Sequence, residues 1–285
     1  MDKIAILGTG LLGGSLGLAL AKQAEVRLWA RRQGTVDEAE QRGLAASQDL
    51  SWCIDGADFV ILCVPVGAMA DLASQLVSLG LRSGCVVTDV GSVKRRPHSE
   101  VGQILGSQGI AFIGSHPMAG SEKGGVEMAR EDLFRGAACL LTNDDAAAPA
   151  VCLRLEKLWQ SLGCRTQWLS ATEHDDLVAR LSHFPHVLAA VGAQVALTDP
   201  GTIGFGGGGL RDTTRVAGGN PSMWAEILME NRDLLIEPLR SAANQIDEML
   251  AFLIHADHEA LEVWLQEAKQ KRDALSLIQN MNSLE

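Results

Sequence analysis

The 285-residue chain carries 24 Lys and Arg against 35 Asp and Glu, a net charge of −11, and 47% of its residues are apolar. That much apolar sequence can bury a sizeable core in about two domains. The acidic balance speaks against a nucleic-acid binder, whose phosphate contacts need a basic face, and against docking on anionic membranes.

Residues 4–21 run without a charge after Lys3, which imitates a signal peptide. Five glycines, at 8, 10, 13, 14 and 17, make a poor membrane helix. Their spacing has another reading. Gly8-Thr9-Gly10-Leu11-Leu12-Gly13 follows the strand-like run "KIAIL" (3–7) and opens a helical stretch at 11–22. In that setting a G-x-G-x-x-G turn brings backbone amides at a helix N-terminus up to a pyrophosphate.

The second strand, "VRLWA" (26–30), ends without the Asp or Glu that would bond the ribose hydroxyls of NAD. Arg31 and Arg32 stand there instead, with Thr35 one turn on. An arginine fork suits a 2′-phosphate, so the expected cofactor is NADP.

The runs "FVILCV" (59–64), "CVVTDV" (85–90), "GIAFIG" (109–114), "ACLLT" (138–142) and "CRTQWL" (164–169) read as further strands. Helical patterns at 36–43, 67–79, 93–105 and 151–162 lie between them. Continuous apolar strands separated by helices predict a doubly wound parallel sheet covered on both faces, an α/β Rossmann domain over 1–170. Ligands bind outside the carboxyl ends of such strands. This rule places "CVPV", with Cys63, Val64 and Pro65, and "DVGSVK", with Ser92, beside the nicotinamide.

His116, in "GSHPMAG", follows the next strand and comes to the same edge. Pro117 fixes the backbone after it, and Gly114 and Gly120 admit a substrate closely. A neutral imidazole there is a natural base for an alcohol undergoing oxidation. From residue 171 the β signal ends. Helical periodicities at 172–197, 221–254 and 257–279 predict an all-helical second domain over 171–285, interrupted by "GTIGFGGGGLRD" (201–212). Its long apolar stripes suit a homodimer as well as a closed core. The six cysteines (53, 63, 85, 139, 152 and 164) show neither C-x-x-C nor zinc-ligand spacing, so no metal is expected and the thiols read as reduced, in a cytoplasmic protein.

Taken in order, "GTGLLGGSLG", "CVPV", "DVGSVK", "GSHPMAGSEKGG", "LSHFPHVLA" and "GLRDTTRVAGGNPSMWAEI" resemble the prephenate/arogenate dehydrogenase family of tyrosine biosynthesis. The "HPMAGSE" and "RDTTR" blocks are the specific ones. The short length is similar to stand-alone arogenate dehydrogenases of cyanobacterial type. The resemblance implies NADP-dependent oxidative decarboxylation of arogenate to tyrosine. In it His116 takes the ring hydroxyl proton while hydride leaves C4 for the nicotinamide, and Ser92 holds the hydroxyl or His116 in register. It also implies that Arg215 pairs with a substrate carboxylate, that His183 meets the substrate from the helical domain, and that Ser121 and Lys123 lie in the stretch that selects the substrate side chain. A homodimer through the helical domain is the family expectation. Pro185 is expected to kink its helix, and His186 to be structural.

Three alternatives stay open. One is an NAD-dependent prephenate dehydrogenase. Another is a β-hydroxyacid dehydrogenase or imine reductase, disfavoured because 172–197 lacks the lysine such enzymes place there. The last is a non-catalytic NADP-binding sensor, which would need no His116, His183 and Arg215 together.

Overall fold

Strands β1 (Lys3–Leu7), β2 (Glu25–Trp29), β3 (Ala46–Ser47), β4 (Phe59–Leu62), β5 (Val86–Asp89), β6 (Ala111–Pro117), β7 (Ala138–Thr142) and β8 (Arg165–Leu169) form one sheet in the order β3-β2-β1-β4-β5-β6-β7-β8. The computed structural model describes residues 2–121 and 124–281. Strand side chains alternate between two apolar layers. Ile4, Ile6, Phe59 and Ile61 pack with Leu16, Leu20, Val36 and Trp159 on one face. Ala5, Leu7, Val60 and Leu62 pack with Met69, Leu72, Leu76 and Leu105 on the other. Both faces are covered, which is why the strands read as unbroken apolar runs.

The sheet is not wholly parallel. β7 runs antiparallel to β6, in register from Gly114 opposite Thr142 to Pro117 opposite Cys139, and β8 is parallel to β7. A parallel return needs a long crossover, usually a helix. The connection 118–137 contains, among its described residues, only the short turn Val126–Met128 as helix. Arg42 binds that connection by donating to the carbonyls of Val126, Glu127 and Ala129. Two small elements were not anticipated, the two-residue β3 and the helix Leu50–Ile54, which Asp49 caps by accepting from the Ser51 and Trp52 amides.

The helical region departs from its periodicity at two points. Helix 171–196 starts at Ser170, whose hydroxyl and Glu173 exchange capping bonds. It then widens into a π-type turn over Ala179–His183 before continuing as Phe184–Ala196. Pro185 has no N–H to donate, and the wide turn immediately before it accommodates that loss. The single helix expected over 221–254 is two, Pro221–Glu230 and Arg232–Ile254, broken at Asn231. The glycine-rich stretch folds as Gly208–Thr214 followed by the tight turn Arg215–Gly218. By packing, the chain divides into Met1–Leu235 and Ile236–Glu285. In the second unit Trp264 Nε1 donates to Gln245 Oε1 at 2.9 Å.

One ion pair fixes the segment after β5. Lys94 and Asp89 are both fully buried, and Lys94 Nζ lies 2.5 Å from Asp89 Oδ2 and 2.8 Å from the Gly91 carbonyl. Asp89 also accepts from the Gly91 and Ser115 amides. The pair therefore staples the turn 90–93 to β5 and β6. Lys94→Met leaves the carboxylate buried without its cation and should cost about 3–5 kcal/mol in urea unfolding, whereas the Asp89→Asn/Lys94→Met double variant should recover most of that loss. A single variant as stable as the wild type would show that the pair does not hold the turn.

Candidate functional site

A cavity of about 590 Å³ opens where the carboxyl ends of β1, β4, β5 and β6 meet, at the crossover between β1 and β4. This is the place where open α/β sheets bind their ligands. Gly10, Leu11, Leu12 and Gly13 form one wall. Gly8 has φ of +113°, and a Cβ there would stand 2.2 Å from the Cys63 carbonyl oxygen. A Cβ on Gly13 would stand 1.9 Å from the Gly8 oxygen, so strand, turn and helix can approach only as glycines. At Gly10 a Cβ would meet nothing within 4 Å, which leaves the backbone open to a ligand. The helix Leu11–Leu20 begins there with no side-chain cap. Open amides on a glycine turn fit a pyrophosphate. Thr9, in contrast, is buried and donates to the Trp29 carbonyl at 3.0 Å, so its side chain braces β2.

Cys63, Val64 and Pro65 from the end of β4, and Ser92 from the turn after β5, line the cavity. Burial pushes the Cys63 thiol well above its ordinary pKa, so it is an apolar contact and not a nucleophile. Arg31, Arg32 and Thr35 lie outside the cavity wall, with both arginines exposed at the carboxyl end of β2. Gln48 Nε2 holds the Arg31 carbonyl at 2.7 Å, which ties that turn to the strand beside it.

His116, at the end of β6, lines the cavity and is 8% exposed. Its Nδ1 lies 2.9 Å from His174 Nε2, and His174 Nδ1 lies 2.8 Å from Asp175 Oδ1. Asp175 also accepts from the Lys94 amide at 2.7 Å and from the amide and Nε of Arg95 at 3.0 and 3.1 Å. Burial alone would raise the pKa of Asp175, but the His174 bond and these amides outweigh it and hold the carboxyl below its ordinary range. An ionised carboxylate only accepts. His174 therefore carries its proton on Nδ1 and accepts at Nε2, and His116 must donate from Nδ1. This leaves the lone pair of His116 on Nε2. Burial first, then the nearby His174, Lys94 and His183, lowers the His116 pKa well below 6.5 and keeps the ring neutral.

Across the cavity, His183 ends the π-type turn and is fully buried, and burial lowers its pKa to about 4. Trp224 stands edge-on to His183 and stacks on His186 at 3.5 Å between ring centroids. His186 is buried beneath that ring, and burial lowers its pKa. Arg215 and Ser121 line the cavity, and Lys123 lies outside the described residues. The acidic groups of the wall are engaged. Glu226 accepts from the Gly67 amide at 2.7 Å, and Glu230 pairs with Arg96. Arg215 is thus the Lys or Arg side chain among the described lining residues, in a wall whose two carboxylates have partners.

The sequence reading did not single out His174, Asp175, Lys94 or Asn231. The signal for the first two was present, because Ala171, His174, Asp175 and Val178 share one buried face at i, i+3, i+4 and i+7. Polar residues on a stripe that must be buried demand partners. Among the described residues no group of His, Cys, Asp and Glu is placed to hold a metal, and no helix is long and apolar enough to cross a membrane.

Two family models cover most of the chain: the nucleotide-binding domain of prephenate dehydrogenase over residues 16–168 and its dimerization domain over 170–267. The prephenate dehydrogenase of Lactococcus lactis subsp. cremoris is 32% identical over 285 residues, covering 97% of this chain and 78% of that protein. Among solved structures, the prephenate dehydrogenase of A. aeolicus in complex with hydroxyphenyl propionate and NAD+ superposes with a TM-score of 0.86 at 27% identity, covering 96% of this chain and 98% of the other. The Synechocystis arogenate dehydrogenase superposes with a TM-score of 0.80 at 28% identity, covering 96% and 100%. With this sheet, this cavity and both domain models in agreement, the chain belongs to the prephenate dehydrogenase family of oxidoreductases.

Proposed function

We propose that the chain oxidises and decarboxylates a cyclohexadienol dicarboxylate, arogenate, with NADP as cofactor. The observation that carries the reading is the neutral His116, held by His174 and Asp175 with its Nε2 lone pair available, in a cavity beside the open glycine turn. The bound nicotinamide supplies the two-electron oxidation of the carbinol carbon.

The protein's share is positioning and proton transfer. His116 Nε2 takes the ring hydroxyl proton, and Ser92, on the stapled turn after β5, holds that hydroxyl in line. Arg215 pairs with a substrate carboxylate, and His183 and Ser121 bound the rest of the ring and its side chain. Loss of CO₂ from the opposite ring carbon then leaves a phenolate, which recovers the proton from His116 to give the phenol, and aromatisation drives the reaction. The chain therefore needs no more than a base, an orientation and an anion partner. Val64, Pro65, Val90 and Ile227 give the cavity an apolar wall.

NADP is favoured by Arg31 and Arg32, which occupy the end of β2 where a ribose-binding acid would sit. Arogenate is favoured by the likeness to the Synechocystis enzyme over 96% of this chain and 100% of that one. A second reading, prephenate with NAD, is favoured by the L. lactis relative and by the A. aeolicus complex. The helical region is read as a homodimer surface, since Ile246, Leu250, Leu253 and Val263 are exposed on its last two helices and the family model names a dimerization domain.

The deciding experiment is the rate of nicotinamide reduction in four mixtures, arogenate or prephenate with NADP or NAD. Fast turnover with arogenate and NADP is expected, and faster turnover of prephenate would replace the substrate. Changing Arg31 and Arg32 together to Ala should cost about 10–100-fold in kcat/KM with NADP and little with NAD, and an equal loss with both would mean that the pair supports only the fold. His116→Asn should lower kcat about 10²–10⁴-fold while leaving NADP binding intact, as measured by fluorescence titration. The pH profile has a definite sign. Because burial favours the neutral base, kcat/KM should stay level as pH falls through 6.5 and decline only well below it. A His116-dependent limb centred at 6.5 or above would contradict the geometry.

A further inference from the structure

His116 and His183 line the same cavity, yet their partners hold them in opposite tautomers. Asn231, fully buried at the break between helices Pro221–Glu230 and Arg232–Ile254, has an amide whose orientation its neighbours dictate. Arg95 Nη2 can only donate, so the Asn231 atom 3.1 Å away is the carbonyl oxygen Oδ1. The Asp175 backbone carbonyl can only accept, so the atom 2.7 Å from it is Nδ2. The second hydrogen of that same Nδ2 points to His183 Nδ1, 3.2 Å away. His183 Nδ1 therefore accepts. With a pKa of about 4, caused mainly by burial, the ring is neutral near pH 7 and carries its single proton on Nε2. That Nε2 is buried and has no hydrogen-bond partner, on a side chain that lines the cavity.

We infer that Asn231 is a positioning residue that fixes His183 as the Nε2–H tautomer, so that His183 acts as a hydrogen-bond donor to a carboxylate or carbonyl oxygen of the substrate and not as a second base. The cavity then offers one lone pair, on His116, and one opposing N–H, on His183. A substrate with a hydroxyl at one end and an acceptor oxygen at the other enters in a single orientation. The substrate half of this inference rests on the reaction proposed above, and the tautomer half does not.

The test is a long-range ¹H–¹⁵N correlation spectrum of the full-length protein labelled with ¹⁵N-histidine, in which the His183 ring signals are those that vanish in His183→Gln. In the wild type the expected pattern is a bare Nδ1 and a protonated Nε2. A protonated Nδ1 would overturn the inference without recourse to any variant. Asn231→Asp puts an acceptor opposite His183 Nδ1 and should move the proton there. Loss of the donor should then lower kcat/KM for the substrate about 10–100-fold, with little change in KM for the nicotinamide cofactor. An Asn231→Asp protein that keeps Nε2–H overturns the positioning role, and a moved proton with unchanged kcat/KM overturns the donor role. A wild type with Nε2–H that turns over neither arogenate nor prephenate supports the role of Asn231 and removes the reaction proposed above.

Discussion

Asp175 sits near the start of helix 171–196 with its side chain 1% exposed, and its two oxygens take four hydrogen bonds: from His174 Nδ1, from the Lys94 and Arg95 amides, and from Arg95 Nε. A buried carboxylate is costly unless its lone pairs are filled. Here the filling is also what builds the site. The two amides draw in the turn that carries Ser92, the His174 bond orients the ring behind His116, and the Asp175 backbone carbonyl holds the Asn231 amide. Were this carboxyl protonated it could donate to His174, and the proton order along the chain to His116 would no longer be unique.

The same economy governs charge. The cavity wall contains two histidines whose burial keeps them neutral, two glutamates that each have one oxygen bonded, and Arg215. The Lys94–Asp89 pair, just behind the wall, cancels within itself. The negative charge of the wall is thus confined to two glutamates that each have a hydrogen-bond partner, in a chain with a net charge of −11. This is how an acidic protein can bind an anion: overall charge governs the surface, while the partnered groups of one cavity govern what enters it.

Much of the sheet was legible because its strands are buried on both faces, and a run such as "FVIL" announces that without alternation. The direction of β7 was not, since "ACLLT" has the same apolar character whether it runs parallel or antiparallel. Its direction follows from a connection that lacks a crossover helix. His116 could be found from its place after a strand and before Pro117. His174 and Asp175 could not be found in that way, because "EHDD" reads as a solvated helix surface until Ala171 and Val178 show that the face is buried. Asn231 left still less trace. A single Asn inside a long periodic run has weak helix propensity, and only the tertiary bonds at 231 explain why the helix breaks there.

The two backbone irregularities of the helical region both fall at the site. Pro185 forces a wide turn whose last residue is His183, and the break between Glu230 and Arg232 frees Asn231 from regular helix geometry. A regular α-helix through 179–183 would shift every residue after it by part of a turn, about 100° for one residue omitted from the wide turn. The rotation accumulates through the turn, so at its last residue it would carry His183 away from Asn231 and Trp224. Arg95 and Arg96 anchor the opposite side, bonded to Asp233 and Glu230 on either side of the break. The deviations from helical periodicity are thus constraints with a shared result: they set two side chains, on different helices, within 3.2 Å of each other, and so fix Nδ1 of His183 as the nitrogen that meets the Asn231 amide.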